Sequence, residues 1–290
     1  MTPLCDLHTH STYSDGTFSP TELIREAEKA GLEAIVLSDH NTVDGLPEFL
    51  EQGRMTWVNC VPGVEFSTDY HGRELHILGL FVQPDKFEAV RQFLKQMLQR
   101  KEQSNIDLVN ALKCAGIDLD YDKVKAGTPS GQVNRAVLAG EMVRLGYCQS
   151  VKEAFSLWLS PKRGYYVPPV RPDAFEVIRL IRSIGAVAVL AHPFLNLDEE
   201  SLRIFLEQAK ECGLDGMETS YPLFSEEQTC LAQQIAREFG LLTSGGSDFH
   251  GANKPHIAMG DCAVPELWLN KLAQRREEVR RMQEEKEKQE

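Results

Sequence analysis

Two histidines near the start of the chain, His8 and His10, have the spacing of a metal-binding pair. They belong to a short stretch that predicts a β-strand over residues 4–10. Because side chains alternate along a strand, Asp6, His8 and His10 should share one face while Leu7 points away from it. Two imidazoles on one face can reach the same metal ion. The pair is weak evidence alone, because it also occurs in solvated strands, so its meaning depends on the rest of the chain.

Seven further histidines and carboxylates could join this pair. Nearly all of them stand where a predicted strand gives way to a loop, which is where α/β barrels gather their reactive groups. They are Asp15, His40, Glu65, His76, His192, Asp248 and His250. Burying such a set is costly without partners, because neighbouring carboxylates repel one another. The nine side chains exceed the needs of one tetrahedral ion, so we expect two or three divalent ions.

The ligand types narrow the chemistry. The set contains no thiolate, and mixed nitrogen and oxygen sites suit Mn, Fe or Zn equally well. The net charge is −12, so a cluster of divalent ions would create a local cationic pocket in an acidic protein. Clustered ions lower the pKa of a bridging water and neutralise phosphate oxygens during in-line displacement. The set therefore suits attack of a metal-bridging hydroxide on phosphorus.

The elements that must position these residues follow a strand–helix rhythm. Seven predicted strands alternate with helices, which favours a parallel barrel. Glu65 should then stand at the end of its strand, and Tyr70-His71-Gly72 predicts a turn. Ser19 and Glu22 form a capping box that predicts a helix start, and Gly31 predicts its end. The strands are predicted at residues 4–10, 34–38, 57–64, 74–81, 186–191, 215–219 and 241–244.

This rhythm breaks between residues 84 and 165, where the sequence contains only helix-like segments. We interpret this stretch as a small helical cap domain inserted into a barrel formed by residues 1–83 and 166–270. Residues 271–290 carry seven basic and six acidic side chains. That composition predicts a solvated, charged C-terminal helix or tail.

Composition excludes several function classes. Hydrophobic residues are 42% and charged residues 26%, the profile of a globular protein with a sizeable core. Seven cysteines without a C-x-x-C pair indicate reduced thiols and predict a cytoplasmic location. The negative net charge disfavours stable binding to long nucleic acid or to an anionic membrane. No apolar run approaches the length of a membrane-spanning helix.

The motifs in combination closely resemble the PHP (polymerase and histidinol phosphatase) family. This resemblance implies a distorted (β/α)7 barrel with a trinuclear metal site that hydrolyses phosphoesters. The motifs that carry it are Asp6-Leu7-His8-Thr9-His10-Ser11, Ser38-Asp39-His40-Asn41-Thr42, Gly63-Val64-Glu65, Leu190-Ala191-His192-Pro193 and Gly246-Ser247-Asp248-Phe249-His250-Gly251.

The same resemblance implies an assignment of ligands to three divalent transition-metal ions. One ion would be held by His8, His10, Glu65 and Asp248. A second would share Glu65 and take His76 and His192, and the third would take Asp15, His40 and His250. Of these residues, those expected to be catalytic as well are Asp15, His40, Glu65 and His192.

The helical insert and two short segments are similar to one branch of the family. Members of that branch hydrolyse nucleoside 3′,5′-bisphosphates or trim short RNA from its 5′ end. The segments are Tyr165-Tyr166-Val167-Pro168 and Asn253-Lys254-Pro255-His256. Arg135 matches an arginine that holds substrate phosphate there, whereas Val137 stands where a histidine is expected. The resemblance thus implies a small phosphorylated nucleotide or short oligonucleotide as substrate, with Arg135, Lys254 and His256 as candidate contacts.

Three other hypotheses remain open. A phosphomonoesterase for a metabolite such as histidinol phosphate would use the same ligands. An amidohydrolase barrel also begins with His-x-His, but it usually bridges its metals through a lysine, and no lysine occurs between Arg54 and Gln83. A non-catalytic binding module would have little reason to keep nine costly polar groups together.

Asp6 and Asp39 are expected to orient ligand histidines from behind.

Overall fold

The computed structural model describes residues 3–128, 131 and 133–287. The chain divides into two compact units, one formed by Met1–Arg91 with Pro172–Glu290 and the other by Gln92–Arg171. Residues 288–290 of the predicted tail lie outside the described residues. All seven cysteines are free. No helix in the described ranges combines the length and the apolar character needed to cross a membrane.

The first unit is built on one eight-stranded sheet. The strands are β1 (Leu4–Thr9), β2 (Ala34–Leu37), β3 (Asn59–Tyr70), β4 (Arg73–Leu80), β5 (Val187–Leu190), β6 (Gly216–Ser220), β7 (Leu242–Gly245) and β8 (Val264–Pro265). Their order in the sheet is β7-β6-β5-β4-β3-β2-β1-β8. The segment after β7 runs beside the end of β1, where Asp248 N–H donates to His8 O and His10 N–H donates to Phe249 O. The sheet is therefore nearly closed, as a distorted barrel.

Ten α-helices lie in the described part of the chain. They are α1 (Pro20–Ala30), α2 (Leu46–Gly53), α3 (Phe87–Cys114), α4 (Tyr121–Ala126), α5 (Arg135–Arg144), α6 (Val151–Ala154), α7 (Ala174–Ser183), α8 (Glu199–Cys212), α9 (Glu226–Phe239) and α10 (Glu266–Glu287). The predicted signals for α1 are confirmed. Ser19 and Glu22 form a complete capping box, and Gly31 ends the helix with a φ of 69°.

The prediction of an entirely parallel barrel was wrong for the middle of the sheet. β4 is antiparallel to both β3 and β5. The predicted turn explains this, because β3 and β4 are joined by only two residues, His71 and Gly72, with φ of 51° and 79°. A two-residue connection with positive φ at both positions makes a hairpin and cannot join parallel strands. β3 also continues to Tyr70, so Glu65 lies within this strand and not at its end.

The prediction that Leu7 points away from the histidines was also wrong. Cys5 pairs with Ala34 and Asp6 with Ile35, but the register then slips by one residue before Thr9. Such a bulge adds a residue and re-aims the side chains that follow it. Leu7 packs in the barrel interior. Because of the bulge, His8, the next residue, also points inward and contacts Glu65. Asp6, which pairs with Ile35, does not share this interior face.

A cluster of apolar side chains fills the barrel interior. Its side chains come from six of the strands and from the start of α10: Cys5, Leu7, Ala34, Val36, Val61, Leu78, Leu80, Val187, Val189, Ala191, Val264, Leu269 and Leu272. The prediction of a solvated C-terminal segment was therefore wrong for one face of α10, where Leu272 and Val279 are buried. The abundant charges on its other faces conceal this stripe in the sequence.

The second unit is helical, with its own small core. It contains most of α3 together with α4, α5 and α6, followed by a turn of π-helix at Phe155–Leu159. Leu108 and Leu112 of α3 and Leu138 and Met142 of α5 are fully buried in this core. The inserted segment is thus helical, and its helices bury a shared apolar cluster.

The buried stripe of α10 yields a stability prediction. Leu272→Ala should lower the free energy of unfolding by about 2–5 kcal/mol, because it leaves a cavity in the barrel interior. Leu267→Ala on the same helix is the matched control, since Leu267 is 60% exposed, and its effect should stay within about 0.5 kcal/mol. Urea denaturation measures both. Equal effects would contradict the assignment of α10 to the barrel core.

Candidate metal centre

The fold brings all nine predicted ligands to one end of the first unit. Six of them are nearly or fully buried, although they are all polar. β1 and its end supply His8 and His10, and the loop after them supplies Asp15. The others follow or lie within later strands: His40 after β2, Glu65 in β3, His76 in β4, His192 after β5, and Asp248 and His250 after β7. We call these nine residues the ligand cluster.

Glu65 stands at the centre of the ligand cluster and contacts it with both carboxylate oxygens. Oε1 lies 2.8 Å from His76 Nδ1 and 3.1 Å from His192 Nε2. Oε2 lies 3.0–3.2 Å from one ring nitrogen of each of three histidines, His8, His10 and His40. The two oxygens therefore face different sets of imidazoles, which is the arrangement that a bridging carboxylate requires.

Three groups of ligand atoms lie close enough to share an ion, with all atoms of a group within 4.8 Å of one another. The group of His8, His10, Glu65 and Asp248 is one of the sets implied by the family resemblance. The group of Asp15, His40 and His250 is another, and His10 joins it here. The third includes His40 in place of His192, whose Nε2 nevertheless contacts Glu65. The groups are His8, His10, Glu65 and Asp248; His10, Asp15, His40 and His250; and His40, Glu65 and His76.

The carboxylates of the cluster are ionised and draw positive charge towards them. Burial raises the pKa of Glu65 and of Asp248, but the neighbouring imidazoles outweigh this and hold both pKa values well below the usual range. Burial lowers the pKa of His10, yet contacts with Asp248 and Glu65 raise it to about 9. The pKa of His76 rises to about 10 because its contacts with Glu65 and Glu74 likewise outweigh burial. The cluster thus favours cations, whether protons or metal ions.

Unsatisfied atoms show that the cluster fits metal ions better than a hydrogen-bond network. Buried polar groups are nearly always hydrogen-bonded, and each exception needs a cause. Within the described structure, six side-chain atoms of the cluster are buried without a hydrogen-bond partner: His8 Nε2, His10 Nδ1, His10 Nε2, Asp15 Oδ1, His40 Nδ1 and Glu65 Oε2. These are nitrogen and carboxylate oxygen atoms, the donor types that Mn, Fe and Zn accept.

Glu218 supports the cluster from behind and was missed by the sequence analysis. It lies on β6 and is fully buried. The Nδ1–H of His8 donates to its Oε1 at 2.9 Å, and the backbone N–H of His192 donates to its Oε2 at 2.7 Å. One carboxylate therefore orients one ligand ring and fixes the loop of another ligand. The available signal was a glutamate within a predicted strand, residues 215–219.

Asp6 and Asp39 act differently from the prediction, because they hold loops and not imidazoles. Asp6 accepts hydrogen bonds from the backbone and hydroxyl of Ser247 at 2.8 and 2.6 Å. Asp39 accepts from the backbone and hydroxyl of Ser11 at 2.8 and 2.6 Å and from the Ser14 hydroxyl at 2.6 Å. They fix the two loops that carry Asp248 and Asp15.

The loops of the site adopt backbone conformations that few residues accept. Asn41, His192 and Asp248 have φ values of 53°, 24° and 54°, and such strained positions concentrate at functional sites. Gly246 has a steric role there, since a Cβ at this position would lie 2.6 Å from the backbone nitrogen of His8. The loop after β7 can therefore approach β1 only if residue 246 is glycine.

A cavity of about 210 Å³ opens beside the cluster. Lys254 lines it and donates to Asp248 Oδ2 at 2.6 Å, so this predicted contact lies at the site. The hydroxyl of Tyr221 donates to the same oxygen at 2.9 Å and was not predicted. The further lining residues are His40, Glu74, His76, His192, Leu195, Asn196 and Asp248. His256 is exposed on the loop that follows Lys254.

Arg135 lies in the second unit and is engaged within it. Its guanidinium stacks 4.3 Å from the ring centroid of Tyr166 and 5.5 Å from that of Phe155. It also donates to the backbone oxygen of Leu159 at 3.2 Å. These contacts give Arg135 a part in packing the insert, and its predicted contact with substrate phosphate stays a prediction.

Comparison with known proteins gives the class that this fold and ligand cluster define. The sequence matches the PHP domain family over residues 6–161. It also resembles the solved structure of a Bifidobacterium adolescentis protein assigned as a metal-dependent phosphoesterase, with a TM-score of 0.83 and 27% identity over 92% of this chain and 94% of that one. The chain belongs to the PHP family and is a metal-dependent hydrolase of phosphoester bonds.

Three relatives illustrate the range of substrates in this family. A 5′-3′ exoribonuclease of Haemophilus influenzae is 33% identical over 86% of this chain and 91% of its own length. A phosphoribosyl 1,2-cyclic phosphate 1,2-diphosphodiesterase of Eggerthella lenta is 30% identical over 87% and 97%. A 3′,5′-nucleoside bisphosphate phosphatase of Chromobacterium violaceum is 26% identical over 84% and 86%.

The central position of Glu65 leads to a prediction about metal content. Glu65→Gln keeps the shape but removes the charge that faces five imidazoles, so it should weaken metal binding by more than the roughly 10–100-fold typical of an outer partner. Glu28→Gln is the control, because Glu28 accepts a hydrogen bond from Thr56 outside the cluster. Elemental analysis of both purified variants measures the effect. Full metal content in Glu65→Gln would contradict a bridging role.

Glu218 leads to a second prediction. Glu218→Gln should lower metal affinity by about 10–100-fold, because an amide no longer holds His8 as a neutral, correctly oriented ligand. A competition titration with a chromogenic chelator measures this affinity. If the variant binds metal like the wild type and melts at the same temperature, Glu218 has no positioning role.

Proposed function

We propose that the protein uses three divalent metal ions to hydrolyse a phosphoester of a small nucleotide, such as a nucleoside 3′,5′-bisphosphate, or of the 5′ end of a short oligonucleotide. The observation that carries the proposal is Glu65, whose two oxygens each face a separate set of imidazoles. A single ion would need only one of these sets. Mn, Fe and Zn all suit the donors.

We assign the ligands as the family motifs imply. His8, His10, Glu65 and Asp248 hold one ion, and their atoms form one of the close groups. Asp15, His40 and His250 hold another, and Glu65, His76 and His192 hold the third. His40 lies between Glu65 and Asp15, because its Nδ1 is 3.0 Å from Glu65 Oε2 and its Nε2 is 3.9 Å from Asp15 Oδ2.

When bound, such ions supply a nucleophile by lowering the pKa of water and neutralise charge on the phosphoryl oxygens. The chain's own residues do the rest. Glu65 and Glu218 fix the imidazoles before substrate arrives. Lys254 places a positive charge at the edge of the cavity, where it can contact a phosphate oxygen. Asp15, His40 and His76 are the half-buried members of the cluster, so they are the ligands most accessible to substrate.

The relatives and the cavity support a small phosphorylated substrate. An exoribonuclease and a nucleoside bisphosphate phosphatase both align over most of this chain. A cavity of about 210 Å³ holds a phosphate with part of its sugar, but not a folded nucleic acid. A cyclic phosphodiester is a second candidate, favoured by the relative from Eggerthella lenta. A histidinol-phosphate-type ester remains the alternative outside nucleotides.

Metal dependence and substrate class can be tested together. The metal-reconstituted protein should release phosphate or nucleotide from a nucleoside 3′,5′-bisphosphate or a 5′-phosphorylated oligonucleotide, and should lose this activity in excess chelator. Activity should return when Mn, Fe or Zn is added back. A panel that includes a phosphoribosyl cyclic phosphate and histidinol phosphate gives relative kcat/KM values. Undiminished activity in chelator, or turnover of histidinol phosphate alone, would contradict the proposal.

A further inference from the structure

Apolar side chains continue outward from the ligand cluster on two loops. Phe194 and Leu195 follow His192 on the loop after β5, and Leu223 and Phe224 lie on the loop after β6. We call these four residues the apolar ledge. Leu195 is 45% exposed and Leu223 is 54% exposed, and Leu195 also lines the cavity.

A chain of ring contacts joins the ledge to the cluster. The ring of His192 lies 5.3 Å from that of Tyr221, and Tyr221 lies 5.3 Å from Phe224. Phe224 in turn lies 5.4 Å from Phe194. Two ring contacts therefore connect Phe224 of the ledge to His192 of the cluster. Because Leu195 of the ledge also lines the cavity, the ledge is continuous with it.

Both loops of the ledge are held in place before any ligand binds. Glu218 accepts the backbone N–H of His192 at 2.7 Å, and Leu195 N–H donates to His192 O at 3.1 Å. On the other loop, Phe224 N–H donates to Tyr221 O at 3.0 Å. A preformed surface loses little entropy on binding, which favours recognition of a rigid, flat group.

We infer that the apolar ledge binds the base of the nucleotide whose phosphate lies at the ligand cluster. This inference rests on the proposed function and names the part of the substrate that the cavity does not enclose. A base offers an apolar face to aromatic and aliphatic side chains whatever its identity, so the contact would be tolerant of sequence. Asn196, at the cavity edge beside the ledge, can hydrogen-bond to the sugar or base.

The size of the ledge argues against a protein partner. A stable interface between proteins buries roughly 800 Å² on each side, which four side chains cannot supply. A single base, by contrast, needs only one or two exposed apolar side chains beside an anchored phosphate. A second copy of the chain is therefore an outcome of the test and not the expected occupant.

The test compares substrates that differ only in the base. Metal-loaded wild-type protein and the variant Leu195→Ser/Leu223→Ser are assayed with a nucleoside 3′,5′-bisphosphate and with its abasic sugar bisphosphate. The ratio of the two kcat/KM values should fall by about 5- to 20-fold in the variant, the lower part of the range for substitution at a stacking contact. Ile204→Ser on α8 is the matched control, because Ile204 is 48% exposed and lies outside the ledge; its ratio should not change.

A binding measurement keeps the inference separate from turnover. Calorimetry with the metal-loaded protein compares a nucleoside 5′-monophosphate with the abasic sugar phosphate, and the ledge variant should lose the preference for the base. If neither bisphosphate is hydrolysed while this preference persists, the proposed function fails and the ledge stands. If hydrolysis proceeds but the wild type does not distinguish the base, or Ile204→Ser shifts the ratio equally, the ledge is not a base site. A change in sedimentation of the variant without a change in either ratio would make the ledge an interface between copies and would overturn the inference.

Discussion

The structure of the first unit depends on the buried carboxylate of Glu65 and the five imidazoles around it. A buried carboxylate is costly unless positive charge or hydrogen bonds compensate it, and in this protein the compensation comes from separate parts of the chain. β1, β4 and the loops after β2 and β5 must all reach one point for the five contacts to form. The residues in contact are His8, His10, His40, His76 and His192.

Several features of the fold make sense as ways to satisfy this requirement. The bulge in β1 lets Leu7 fill the barrel interior while His8 still reaches Glu65. The length of β3 and the β3–β4 hairpin place Glu65 within a strand, so that its backbone is held on both sides. Glu218 adds a further buried carboxylate, which orients His8 and the loop of His192. These contacts hold the groups of the site in place before a substrate arrives, as electrostatic catalysis requires.

The surroundings of the cluster divide the work of recognition. With metal ions bound, the cluster would present positive charge together with Lys254 and attract phosphate to one point of a protein with a net charge of −12. Any phosphoester satisfies that requirement, so selectivity must come from groups outside the cluster. We infer that the apolar ledge in the first unit provides part of this selectivity. Arg135, to which the motif alone assigns a contact with substrate phosphate, packs against the ring of Tyr166 within the insert.

The sequence by itself determined the class of fold and identified the candidate ligands. Most of the histidines and carboxylates recur at the ends of predicted strands, and both that pattern and the strand–helix rhythm are local properties of the chain. Turn and capping signals such as His71-Gly72 and Ser19 are local too. The antiparallel direction of β4 follows from the local turn at His71 and Gly72, although the sequence analysis predicted a parallel strand there. The tertiary structure alone decided the bulge at Leu7 and the burial of Leu272, because each depends on pairing or packing with distant segments. It also decided the role of Glu218, since a buried glutamate reveals its function only when its partners, 210 and 26 residues away in sequence, are brought beside it.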